Sequence, residues 1–190
     1  MPLVRLFVAI EIPPAIREAI AGSLAPFSRQ KSTVKWERSE KLHVTLRFIG
    51  DTAAEDVPRF ITALQQAAAH IRVPFPARYS SSGFFPNRHR PRILWVGMDD
   101  PGRITTSLHD AIELELRSLG VEGDDKEFHP HVTVGRIRHE SPPSRLLDAF
   151  EKLTLHTDQV IVDQFVLMKS ELRADGSQYS VVARFPFGGP

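Results

Sequence analysis

HVTLRFIG at residues 43–50 and HVTVGRIR at residues 131–138 spell the same His-apolar-Thr-apolar tetrad in the two halves of one chain. With eight histidines in 190 residues, random placement gives roughly 0.07 such tetrads, so two of them ask for a cause. Both runs suit strands, being rich in β-branched and apolar residues. Side chains alternate along a strand, which puts His43, Thr45 and Arg47 on one face and Val44, Leu46 and Phe48 on the other. In the second run His129, His131 and Thr133 line one face, with Val132 and Val134 behind. Two such strands from related lobes can face each other across a cleft and offer two imidazoles and two hydroxyls to one ligand.

The surroundings of the tetrads repeat as well. VRLFVAIE (4–11) reads as a strand, and Pro13-Pro14 then opens a helix with Ile16, Ile20 and Leu24 at helical spacing. VKWE (34–37) and the first tetrad strand flank the polar RSEKL, a hairpin signal. Asp51 or Thr52 is the expected cap of a helix whose Val57, Ile61, Leu64 and Ala68 run to about His70, with Pro58 in its first turn. Strands at 73–84 and 92–98, a helix over 104–119, the second tetrad strand, a proline-led helix at 143–152, and strands at 160–171 and 179–186 complete the pattern. DTAAEDVP follows the first tetrad strand and HESPP the second, an internal duplication of strand then proline-started helix. The fold class expected is α+β: a bilobal arrangement of two pseudo-symmetric lobes, each with an antiparallel sheet, helices outside and a groove between, in one domain spanning 1–190.

Composition narrows the function classes. The 24 basic residues nearly cancel the 23 acidic ones, so any anion site is local and not a bulk attraction to nucleic acid. The chain has no cysteine, which excludes disulfides, thiol nucleophiles and Cys-ligated zinc and agrees with a cytoplasmic location. Glu11 interrupts the N-terminal apolar run, which reads as a strand and not as a signal peptide. No run approaches the ~20 apolar residues of a membrane helix.

Paired imidazoles fit phosphate-ester chemistry. With an ordinary pKa of about 6.5, histidine sits on either side of its proton at neutral pH. One neutral imidazole can take a proton from water while an imidazolium opposite donates one to a leaving oxygen. Threonine hydroxyls and an arginine can hold the non-bridging oxygens and stabilise the charge of a pentavalent transition state. Such a site needs neither a metal nor a covalent nucleophile.

RLFVAIEIP (5–13), VKWERSEKLHVTLRFIGD (34–51), GFFPNRHRPRILWVG (83–97), FHPHVTVGR (128–136) and SELRADGSQYSVVARFPF (170–187) together resemble, nearly end to end, the RNA 2′,3′-cyclic phosphodiesterases. These enzymes are also called 2′-5′ RNA ligases and belong to the two-histidine phosphoesterase superfamily. The resemblance implies a bilobal fold with the motifs facing a central groove. It also implies hydrolysis of a 2′,3′-cyclic phosphate to a 2′-phosphate without a cofactor, with weak reversible ligase activity compatible with the same site. By the same resemblance His43 is the general acid, His131 the general base, Thr45 and Thr133 hold substrate oxygens, and Arg136 binds the phosphate. Strict alternation puts Arg136 on the face opposite His131; a bulge at Gly135, or the end of the strand, would reconcile the two. The family often has Arg where His129 stands, so His129 is expected to act at one remove. The partners implied are RNA ends or nucleotides bearing a 2′,3′-cyclic phosphate, acted on by a monomer away from any membrane.

Other readings compete. His129 and His131 form an HxH pair that, with Asp124, Asp125 or Glu127, suggests a metal-dependent phosphohydrolase. A non-catalytic module for RNA ends or nucleotides would keep the groove without needing either proton function. FFPNRHRPR (84–92) is the expected long loop, and its Arg88, Arg90 and Arg92 beside Phe84 and Phe85 could track an RNA backbone and stack a base. Phe7 is a candidate nucleobase contact. Trp36 and Trp95 read as core, and His70, His89, His109, His139 and His156 as structural or solvated.

Overall fold

The computed structural model describes residues 2–27, 33–124, 126–138, 142–174 and 176–188; Asp125 and His139 lie outside them. Strand β1 (Leu3–Glu11) is apolar on both faces because both are covered. Leu6, Val8 and Ile10 enter the main core, while Phe7 and Ala9 join Val166 and Met168 in a second cluster. Helix α1 (Pro14–Leu24) starts on the two prolines and buries Ile16, Ile20 and Leu24. Strand β2 (Val34–Trp36), a 3-10 turn at Ser39–Lys41, strand β3 (His43–Ala53) and helix α2 (Val57–Ala69) follow. Next come β4 (Phe75–Phe85), β5 (Ile93–Asp99), α3 (Ile104–Ser118), β6 (His131–Ile137) and α4 (Ser144–Glu151). The chain ends in β7 (Val160–Val162), β8 (Gln164–Arg173) and β9 (Gly176–Pro186).

The strands form one antiparallel path in the order β7-β4-β5-β6-β3-β1-β8-β9, with β2 also paired to β6. Two half-sheets, β3-β1-β8-β9 and β6-β5-β4-β7, join where Val44 of β3 pairs with Val132 of β6. That pair marks a local two-fold axis. Ile10 of β1 lies beside Val44 and Val96 of β5 beside Val132, so β1 and β5 are equivalents. Strand β4, which follows α2, belongs to the second half-sheet, and β8, which follows α4, to the first; the halves exchange their later strands. Helices cover one face of this curled sheet, where side chains such as Leu64, Leu108 and Ile112 are fully buried, each contributing ~1.5–3 kcal/mol of apolar transfer. The opposite, concave face is the groove.

Two local expectations change. VKW and the HVTL strand do not form a hairpin: β2 pairs with β6, Trp36 opposite Gly135. The intervening residues coil into the 3-10 turn, and Val34 and Trp36 gain more by packing under β6, where Trp36 meets Phe27 and Phe150. Asp51 and Thr52 do not cap α2, because they remain in β3 opposite Arg5 and Val4; Asp56 precedes the helix instead.

Candidate active site

His43 opens β3 and His131 opens β6, so antiparallel pairing about Val44 and Val132 sets the two imidazoles on either side of one bridge, facing the groove. Each ring is fixed in the same way. His43 Nδ1 donates to the Lys41 carbonyl at 2.7 Å, and His131 Nδ1 donates to the His129 carbonyl at 2.6 Å. A carbonyl can only accept, so Nδ1 carries the proton and Nε2 is left free. Each ring also meets an aromatic edge-on: Tyr179 at 5.4 Å and 85° for His43, Phe85 at 4.8 Å and 76° for His131. Thr45 and Thr133, two residues on, share the groove face and are half-buried.

A β-bulge after each threonine decides what lies beyond. In β3, Thr45 pairs with Ala9 and Arg47 with Val8, leaving Leu46 as the extra residue. In β6, Thr133 pairs with Trp95 and Gly135 with Leu94, leaving Val134 extra. One extra residue inverts the alternation beyond it. Arg136 therefore returns to the groove, opposite Ile93 and Lys35, and its Nε lies 3.6 Å from the Glu37 carboxylate. An exposed pair at that spacing contributes only ~0.2–1 kcal/mol, so a phosphate can displace it. Arg47 goes the other way. It leaves the groove for the helix side, bonded to Glu113 of α3 and to the Glu122 carbonyl, with its side chain 10% exposed. The expectation that Arg47 lines the groove is thus corrected, and the exposed Phe48 takes the position that Arg136 holds in the other half.

Phe7 is corrected too. It faces the groove but is only 3% exposed, under His43 at 5.1 Å and Tyr179 at 5.1 Å, so it backs the imidazole and offers no face to a base. His129 acts through its backbone carbonyl, while its ring stands at the surface 3.7 Å from Glu127. Arg88 is committed to Asp148 and Glu151 of α4; Arg90 and Arg92 are exposed. Phe85 belongs to the site, whereas Phe84 is buried. Trp36 packs in the core as expected, but Trp95 lies on the groove face 6.3 Å from His131. A Cβ at Gly83 would meet the Trp95 ring at 2.2 Å, so Gly83 leaves room for the indole, whereas one at Gly97 would meet the Ser81 hydroxyl at 2.2 Å and the indole only at 3.3 Å. His109, stacked on Phe128 at 4.2 Å, is structural; His70, His89 and His156 are exposed. Among the described residues no group of three or more His, Cys, Asp or Glu comes together as a metal site.

Burial pushes both groove imidazoles below the ordinary histidine range. At His43 the Lys41 carbonyl and the Glu37 carboxylate favour the protonated ring, against His131 and Arg136. At His131 the His129 carbonyl favours protonation and the His129 ring opposes it. Burial, then Glu37, pushes the Tyr179 phenol up. A cleft of about 520 Å³ opens beside His43, with Glu11, Arg17, Lys41 and Tyr179 on its walls.

A family model described as LigT-like phosphoesterase matches residues 10–95. An RNA 2′,3′-cyclic phosphodiesterase of Archaeoglobus fulgidus is 32% identical over 92% of this chain and 96% of its own length. The chain belongs to the family of LigT-like RNA 2′,3′-cyclic phosphodiesterases. Its fold agrees: a Thermus thermophilus protein superposes with a TM-score of 0.76 at 29% identity, covering 97% of this chain and 98% of that one. E. coli LigT complexed with 3′-AMP does so with 0.76 at 26% identity, covering 99% and 100%. For this LigT-like chain, sequence reasoning passed over Glu37, Tyr179 and the groove face of Trp95. All three stand in the quoted family-like stretches, but only strand register reveals that they border the histidines. No helix among the described residues is long and apolar enough to cross a membrane.

Proposed function

We propose that this chain hydrolyses the 2′,3′-cyclic phosphate of RNA ends or nucleotides to a 2′-phosphate by general acid-base catalysis. The observation that carries this reading is the matched pair of imidazoles at one strand bridge, each with Nδ1 bonded to a carbonyl and Nε2 free toward the groove. His131 Nε2 takes a proton from water as the water oxygen attacks phosphorus. His43, protonated on Nε2, gives its proton to O3′ as the P–O3′ bond breaks. One water is consumed, one proton is taken and one given, and each histidine ends in the other's starting state. Arg136 with Thr45 and Thr133 holds the non-bridging oxygens through the transition state, where charge accumulates.

A 5′-hydroxyl taking the place of water on the cyclic phosphate, with O3′ again leaving, would form a 2′-5′ bond, and the reverse of that step cleaves it, so weak reversible 2′-5′ ligation belongs to the same reading. The unit acting is the whole bilobal chain, as a cytoplasmic monomer. The test is an assay on an RNA ending in a 2′,3′-cyclic phosphate, with and without EDTA. Activity is expected to survive EDTA, and His43→Ala and His131→Ala are each expected to lower turnover at least ~100-fold with the circular-dichroism spectrum unchanged. Near-wild-type turnover by either variant would sink the mechanism.

A further inference from the structure

The two histidines are built so alike that something must decide which of them donates. Val44 pairs with Val132, and the Glu37 N–H donates to the Val134 carbonyl at 2.9 Å. Glu37 and His43 therefore stand side by side along one stretch of β6, the residues between them looping out through the 3-10 turn. The Glu37 carboxylate is 23% exposed and 3.6 Å from Arg136 Nε. A carboxylate at the rim of a phosphate site repels the substrate, so its placement calls for another role.

We propose that Glu37 is the positioning residue that breaks the symmetry of the site: it holds Arg136 in the resting groove and makes His43, not His131, the proton donor. This rests on the hydrolytic reading above. The groups facing His43 are Glu11 of β1, the Lys41 carbonyl of the turn, His131 and Arg136 of β6, Tyr179 of β9, and Glu37. Of the two anions, Glu11 is engaged by Arg184 of β9, whereas Glu37 is paired with the cation that a phosphate draws away. Substrate binding thus turns Glu37 toward an unshared interaction with His43 and favours the imidazolium there. The charge acting on His131 is that of the His129 ring, which opposes protonation.

The test combines NMR titration of His43 in the ligand-free protein with pH profiles of kcat and kcat/KM for wild type, Glu37→Gln and Glu37→Asp. Loss of a neighbouring negative charge disfavours protonation, and the donor must be protonated. Glu37→Gln is therefore expected to lower the His43 titration midpoint and move the alkaline limb of kcat/KM to lower pH, each by roughly half a unit to one unit. KM for the anionic substrate stays level or falls, and Glu37→Asp restores the limb. An unmoved His43 titration, a shift confined to the acid limb, or a raised KM with a uniform loss of kcat would overturn the proposal. The NMR titration reads Glu37 against His43 whatever the substrate, so failure here is distinguishable from failure of the hydrolytic reading.

Discussion

At the scale of single residues, each groove imidazole is tied through Nδ1 to the carbonyl two positions earlier, which fixes the tautomer without spending a side chain. The same Nε2 lone pair serves a base directly and becomes a donor once protonated, so identical scaffolding supports opposite roles. Arg136 separates charge stabilisation from proton transfer. Arg136→Lys is expected to remain partly active and Arg136→Gln to be much worse, because lysine keeps the charge but loses the bidentate fork. Steady-state kinetics on a cyclic nucleotide checks this; a glutamine variant equal to wild type would mean that the guanidinium does not touch the phosphate. The histidines and threonines were legible in the sequence because they precede any irregularity in their strands and their motif occurs twice. Alternation alone misplaces Arg47 and Arg136, since a single extra residue exchanges their faces; only the resemblance pointed to Arg136 and to a bulge beside it.

At the scale of elements, the paired bulges at Leu46 and Val134 turn the third residue after each threonine into the groove, Phe48 in one half-site and Arg136 in the other, and they depend on neighbours that alternation does not count. A Cβ on Gly135 would come within 2.7 Å of Val34 Cγ1 and 3.1 Å of the Trp36 ring. Gly135→Ala must therefore push β2 away, disturbing Glu37 and Arg136 together. It is expected to cost ~1–3 kcal/mol and to lower activity. Gly22→Ala, in the exposed interior of α1 with nothing within 4 Å of the added carbon, is expected to gain ~0.5–1 kcal/mol and leave activity alone. Urea unfolding of both variants checks the contrast, and equal effects would remove the special role of the bulge. Strands and helices were largely legible from apolar periodicity and proline starts. The partner of β2 was not, because a short strand separated from the next by a polar turn reads locally as a hairpin, while burial of Trp36 against Phe150 is a long-range contact.

At the scale of the whole molecule, the duplication is what builds the site: an axis through Val44 and Val132 brings together two motifs far apart in the chain, and the exchange of β4 and β8 between half-sheets binds the halves into one continuous path. The bilobal outline was legible from the repeated strand-helix pattern, but the exchange was not, since nothing local tells a strand which sheet to join. The polarity of this near-symmetric groove can be read from the product it releases. If His43 protonates the departing oxygen while water activated by His131 attacks in line, O3′ leaves and the phosphate stays on the 2′ carbon. Phosphorus NMR of a hydrolysed nucleoside 2′,3′-cyclic phosphate, read against authentic 2′- and 3′-phosphates in the presence of EDTA, decides it: the 2′-phosphate is the expected product, and predominant 3′-phosphate, or loss of turnover on chelation, would overturn the assignment of acid and base or the metal-free mechanism.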